Sequence, residues 1–131
     1  IRLRNGIRAP DSEPGNPMDL KPLDALKLWH DVVLDTVRRD VPDLSARQLA
    51  ILLTVYLEPP PHTVRGLASK LDVSKPAITR ALDTMGQKDL LKRKRDDTDK
   101  RNVLVQRTVA GSVYLSELSD TIISKAKDHL A

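Results

Sequence analysis

Twelve basic and six acidic side chains stand between His62 and Arg107, a surplus of six in a chain whose net charge is only +4. Within that stretch the spacing is specific. Lys92-Arg93-Lys94-Arg95 is a continuous basic run, and Asp99-Lys100-Arg101 follows it closely. Ser74, Lys75, Ala77, Thr79 and Arg80 precede it as one short polar segment. A guanidinium can fork onto the O6 and N7 acceptors of guanine, and a threonine can touch a base edge or a thymine methyl. Lysines serve better as phosphate neutralisers, which fix position and carry no sequence information. The chemistry these residues can do is therefore recognition of a polyanion. The plainer alternative is a solvated basic surface.

Little else in the chain could do chemistry. His30, His62 and His129 fall on separate expected elements, none beside a nucleophile or in a ligand-spaced pair. There is no cysteine, which removes disulfides, thiolate metal sites and thiol redox chemistry. Phosphate-loop, dinucleotide and hydrolase motifs are missing. We therefore expect no catalytic residue, no metal site and no cofactor, and a protein that is not an enzyme. No apolar run approaches the roughly 18–20 residues of a membrane span, so no membrane partner and a cytoplasmic location are expected. With three aromatic residues in 131 the chain offers no stacking platform for single strands.

The elements that must hold the basic residues can be read from period and punctuation. Residues 1–18 hold three Arg, three Pro and two Gly without periodicity, and read as a flexible arm. A first helix is expected over 20–39, with Leu23, Leu26, Trp29, Val33 and Val37 at steps of three and four. Leu28 and Val32 widen its apolar surface, which calls for a second body. Pro42 is expected to end it. Ser45-Ala46-Arg47-Gln48 is a capping box that opens a second helix, with Leu49, Leu52, Leu53 and Tyr56 expected inward. Pro59-Pro60-Pro61 stops that helix.

A third helix is expected over 64–71, then a turn at Asp72-Val73. Ser74 caps a fourth, with Pro76 in its first turn and Ile78, Ala81, Leu82 and Met85 inward. Its other face offers Lys75, Ala77, Thr79, Arg80 and Asp83. Two strands flank the tip at 96–101, and alternation along the first splays at least four cations from one ribbon. Thr108 caps a last helix, along which Leu115, Leu118, Ile122 and Ala126 form one seam. The expected fold is mainly α with a small β-wing: a winged helix-turn-helix with N- and C-terminal dimerisation helices. The expected organisation is a single domain over 19–131, with a lobe at about 44–108 and dimerisation helices at 19–40 and 109–131.

This layout resembles the MarR family of bacterial winged-helix transcriptional regulators. The resemblance rests on Leu44-Ser45-Ala46-Arg47-Gln48-Leu49, Thr63-Val64-Arg65-Gly66-Leu67-Ala68, Val73 to Arg80, Asp99-Lys100-Arg101 and Thr108-Val109-Ala110-Gly111. One departure stands out: Asp89 occupies a position where the family usually has Gly, and Gly86 comes three residues earlier.

The resemblance implies a sequence-specific regulator that binds double-stranded DNA as a homodimer on a pseudo-palindromic operator. It places Ser74, Lys75, Ala77, Thr79 and Arg80 on the recognition helix. Lys92, Arg93, Lys94, Arg95, Asp99, Lys100 and Arg101 fall in the wing, where Asp99 would hold Arg101 for the minor groove. It also implies a small aromatic ligand, with Trp29, His30, Val33, Leu52 and Tyr56 as the candidate lining. The bland reading of Trp29 and His30 is an ordinary interface. The rival function is a winged-helix protein-interaction module, which has no need of Lys92 to Arg95 together with Arg101.

Overall fold

The structure is a computed structural model that describes residues 20–130; the expected N-terminal arm lies outside them. The order is α1 (Pro22–Arg38), α2 (Ala46–Leu57), α3 (Val64–Leu71), α4 (Lys75–Gln87), β1 (Leu91–Arg95), β2 (Val103–Arg107) and α5 (Val109–Leu130). It is mainly helical, with one two-stranded antiparallel sheet. The chain divides into two compact units: Val41–Glu117, and the residues before and after it.

The Val41–Glu117 unit is a lobe built on one core. Ile51, Leu52 and Val55 of α2 meet Leu67 and Ala68 of α3, and Ile78, Ala81, Leu82 and Met85 of α4. Leu90, Leu91, Val105 and Tyr114 complete it. Replacing a fully buried Ile78 or Met85 by Ala would cost about 2–5 kcal/mol, because the cavity left behind relaxes only partly. The buried stripe of α2 differs from the expected one. Ile51 and Val55 are buried, whereas Leu49 and Tyr56 are only half-buried. A helix apolar around most of its circumference carries too weak a period to choose its own face.

Local chemistry sets the helix ends. Ser45 and Gln48 form both bonds of the capping box, at 3.1 and 2.9 Å. Thr63 Oγ1 accepts from the Gly66 amide and caps α3, and Ser74 Oγ accepts from the Ala77 amide and caps α4. Both of these helices end through an aspartate in the left-handed region, Asp72 at φ 56° and Asp89 at φ 57°. After each, the next amide reaches back five residues: Val73 N–H to the Ala68 carbonyl, and Leu90 N–H to the Met85 carbonyl. These are Schellman closures, which glycine makes with least strain. Gly86, by contrast, sits inside α4, with nothing near its missing Cβ. The departure seen in the sequence is therefore absorbed at Asp89 itself.

The wing pairs Leu91 with Arg107 through Arg95 with Val103. Thr63 makes a single bridge to Leu104, and the Val105 amide bonds to the His62 carbonyl. The segment before α3 thus backs the second wing strand. At the other end of the wing, Tyr56 Oη donates to the Thr108 carbonyl at 2.8 Å and accepts from the Thr108 amide at 2.9 Å. Arg107 donates to the Val55 carbonyl and lies over the Tyr56 ring. Thr108 Oγ1 donates to the Asp89 carbonyl and accepts from the Gly111 amide, capping α5. One junction therefore joins the ends of α2, α4 and the wing to the start of α5.

The other unit holds α1 and the end of α5. Proline at the first turn starts α1, which ends at Arg38, four residues short of Pro42. Arg39 pairs with Asp35 at 2.7 Å and also donates to Thr121 Oγ1. His129 Nε2 lies 2.5 Å from Asp31 Oδ2. That hydrogen bond holds the Asp31 carboxyl below the ordinary range. Leu23, Leu26, Trp29, Val33 and Val37 of α1 are 40–63% exposed, and Ile122 and Ile123 of α5 are exposed beside solvent as well. The stripe that the sequence period assigned to one face is there, and the described residues leave it largely uncovered.

Candidate nucleic-acid interface

The α4 helix divides its residues sharply. Ile78, Ala81, Leu82 and Met85 are buried, while Lys75, Thr79, Arg80 and Asp83 are exposed. Ser74 is exposed at the N-terminus; its oxygen is used in capping, which leaves its hydroxyl proton free to donate. Ala77 is a correction. It is 6% exposed, so its methyl group offers little surface for a contact. It directly precedes buried Ile78, and a methyl group that small gives no hydrophobic signal strong enough to show its burial. Arg80 does not pair with Asp83: among the described residues its guanidinium makes no ion pair, and Asp83 is taken by Arg93 at 2.6 Å.

The wing carries its cations in two ways. Lys92 and Lys94 are exposed, on the side of β1 opposite buried Leu91. Lys100 is exposed at the tip, where its carbonyl accepts from Arg95 Nη1 at 3.4 Å. The guanidiniums are held. Arg101 Nε and Nη2 contact Asp99 Oδ1 and Oδ2 at 3.0 and 3.2 Å, a fork-to-fork pair, and the Arg101 amide donates to Asp99 as well. The Arg101 side chain is nonetheless 84% exposed. A charge this free, yet aimed, is suited to insertion rather than to holding the fold.

Hydrogen bonds from the Arg101 side chain and amide keep the Asp99 carboxyl below its ordinary range. The nearby charge of Arg65 adds to this lowering, so Arg65 of α3 lies close enough to the tip to be felt there. Asp96 is held low in the same manner by Thr98, whose hydroxyl and amide both donate to it. That small turn orders the tip. Arg65 is a residue of this surface to which sequence reasoning assigned no role, and Asp83, which the helical period places on the outer face of α4, finds its partner only in the folded lobe. The bridge of Thr63 to Leu104 brings the start of α3 beside the wing.

The candidate ligand-lining residues fall differently. Trp29, His30 and Val33 lie exposed on α1. Leu52 is fully buried in the core of the lobe, so it has no surface to offer a ligand. The Tyr56 hydroxyl is engaged by Thr108 on both its donor and acceptor sides. Among the described residues no cluster of His, Cys, Asp or Glu could hold a metal ion, and no helix is long and apolar enough to cross a membrane.

Three helices followed by a two-stranded basic hairpin, with the fourth-helix face and the hairpin tip both charged, define a winged helix-turn-helix. Residues 44–103 match the MarR family model. Its fold is similar to that of the YusO protein from Bacillus subtilis, at 22% identity and a TM-score of 0.69, over 82% of this chain and 75% of that one. It is also similar to the S. aureus MepR-DNA complex, at 19% identity and a TM-score of 0.65, over 80% and 82% of the two chains. A third likeness is to the transcriptional regulator Tm0710 from Thermotoga maritima, at 21% identity and a TM-score of 0.58, over 79% and 68%. No curated protein matches the sequence.

Proposed function

We propose that this protein is a sequence-specific, double-stranded DNA-binding transcriptional regulator. The observation that carries the reading is the pairing of an unengaged Arg80 on the outer face of α4 with an Arg101 that Asp99 aims outward from the wing. The helix face suits a major groove, where Arg80, Thr79 and Lys75 meet base edges and phosphate. The wing tip suits a minor groove, whose negative potential attracts an oriented guanidinium. The match of residues 44–103 to the MarR family model and the fold's likeness to a protein solved on DNA support the same reading.

The functional unit in this proposal is a homodimer on a pseudo-palindromic operator. The exposed apolar stripe of α1, with Ile122 and Ile123 of α5, is the kind of surface that a second subunit would cover. A twofold axis would set two recognition helices roughly 34 Å apart, one turn of DNA. A small aromatic effector rests on the family likeness alone. Selection of bound sequences from a random duplex pool tests the reading: an enriched palindrome, with affinity falling at about 0.9 log units per log unit of salt for each phosphate contact, is expected. Binding with neither enrichment nor salt dependence would favour the protein-interaction alternative.

A further inference from the structure

Asp83 poses a problem for a surface that binds a polyanion. It stands four residues after Thr79 and eight after Lys75, on the same exposed line of α4, and its side chain is 54% exposed. An acid there repels phosphate. Its partner is Arg93 of β1, whose Nη2 lies 2.6 Å from Asp83 Oδ1. Among the described residues only that one nitrogen is engaged, so Nε and Nη1 keep their protons to donate elsewhere. Both groups are substantially exposed, and such pairs contribute at most about 1 kcal/mol to stability. The fold does not need the pair. What it does is fix the direction of a guanidinium where the recognition helix meets the wing.

We propose that Asp83 is a positioning residue that aims Arg93 at a DNA phosphate, repeating midway along the first wing strand what Asp99 does for Arg101 at the wing tip. This rests on the DNA-binding reading above. Arg93 is then a phosphate clamp between major-groove and minor-groove contacts, and Asp83 exchanges a small repulsion for a fixed geometry. The proposal reverses the sign that simple electrostatics predicts. Removing a carboxylate from a DNA-facing surface should tighten binding if the carboxylate only repels. It should loosen specific binding if the carboxylate orients Arg93.

The test compares the full chain and its variants on the selected site and on a random-sequence duplex, across salt. Asp83→Asn is expected to weaken the selected site about tenfold per half-site, the weight of one charge-assisted hydrogen bond. Its salt slope should fall by about one per half-site. Its affinity for the random duplex should hold or rise. Asp83→Glu should recover most of the loss, and Arg93→Ala combined with Asp83→Asn should cost no more than Arg93→Ala alone. Thermal melts report folding, and the Glu variant keeps the test decisive if Asp83→Asn melts early. Selected-site binding by Asp83→Asn at or above wild-type strength overturns the proposal, as does failure of a folded Asp83→Glu to recover it. A wild-type chain that selects no DNA site overturns the functional reading itself.

Discussion

The recognition helix and the wing use the same residue types in opposite ways. On α4, Lys75, Thr79 and Arg80 stand exposed on a rigid scaffold, and Arg80 has no partner among the described residues. In the wing each arginine is tied: Arg93 to Asp83, Arg95 to the Lys100 carbonyl, Arg101 to Asp99. The difference follows from the scaffolds. A helix fixes the root of each side chain through its own backbone bonds and through the buried Ile78, Leu82 and Met85 beneath it. A two-stranded ribbon has no core of its own and is marginal in isolation, so its long side chains need local partners to hold a direction. Loss of a side chain should therefore act on reading in the helix, and on orientation in the wing.

The largest effect should come where the two regions share a support. A Cβ at Gly111 would lie 2.2 Å from Tyr56 Oη and 2.3 Å from the Leu90 carbonyl oxygen. Gly111→Ala must displace the junction that joins α4 to the wing, and should cost on the order of 1–3 kcal/mol in denaturant titration. DNA affinity should fall with it. A melt equal to wild type would mean that the junction is not the common support.

Arg80→Ala and Arg101→Ala should then divide the two regions. The first should cost about 1–3 kcal/mol and relax preference at one base pair in each half-site. The second should lower affinity across sites while leaving the major-groove preference in place. Profiles over all single-base variants of the selected site distinguish these outcomes, and identical profiles would abolish the comparison. A smaller gain is expected at the joint itself. Asp89→Gly relieves a left-handed residue at φ 57° while keeping its carbonyl bond to Thr108, and should stabilise by about 0.5 kcal/mol after the glycine's added unfolded-state entropy.

The smallest effect is a titration. Arg101 lowers the Asp99 carboxyl, so the clamp is fully present above the ordinary aspartate range and is lost only as pH falls through the lowered value. Carboxyl NMR should find Asp99 titrating below an ordinary aspartate, and Arg101→Ala should raise it. An Asp99 that titrates normally in the wild type would mean that Arg101 is not held.

Much of this protein was legible because its signals are local. Ser45 with Gln48, Ser74 followed by Pro76, and Thr108 each satisfy backbone groups within three residues, so composition and spacing suffice to place those helix starts. The period of α4 likewise separated its buried stripe from Arg80. Where local signals were weak, the reading slipped. Ala77 has too little side chain to declare a face, and α2 is too uniformly apolar to show that Ile51 and Val55, rather than Leu49 and Tyr56, go inside.

The sequence by itself determined the order of elements, the alternation that splays the wing cations, and the Asp99–Arg101 pair, whose partners are two residues apart. Only the tertiary structure decided that Asp83 answers Arg93 rather than Arg80, that Arg65 is felt at the wing tip, and that Tyr56 closes on Thr108 across 52 residues. The reason is physical. Short-range caps and periods are written into neighbouring backbone geometry, whereas a choice between two oppositely charged partners depends on where a helix and a strand come to rest after the core beneath them has packed.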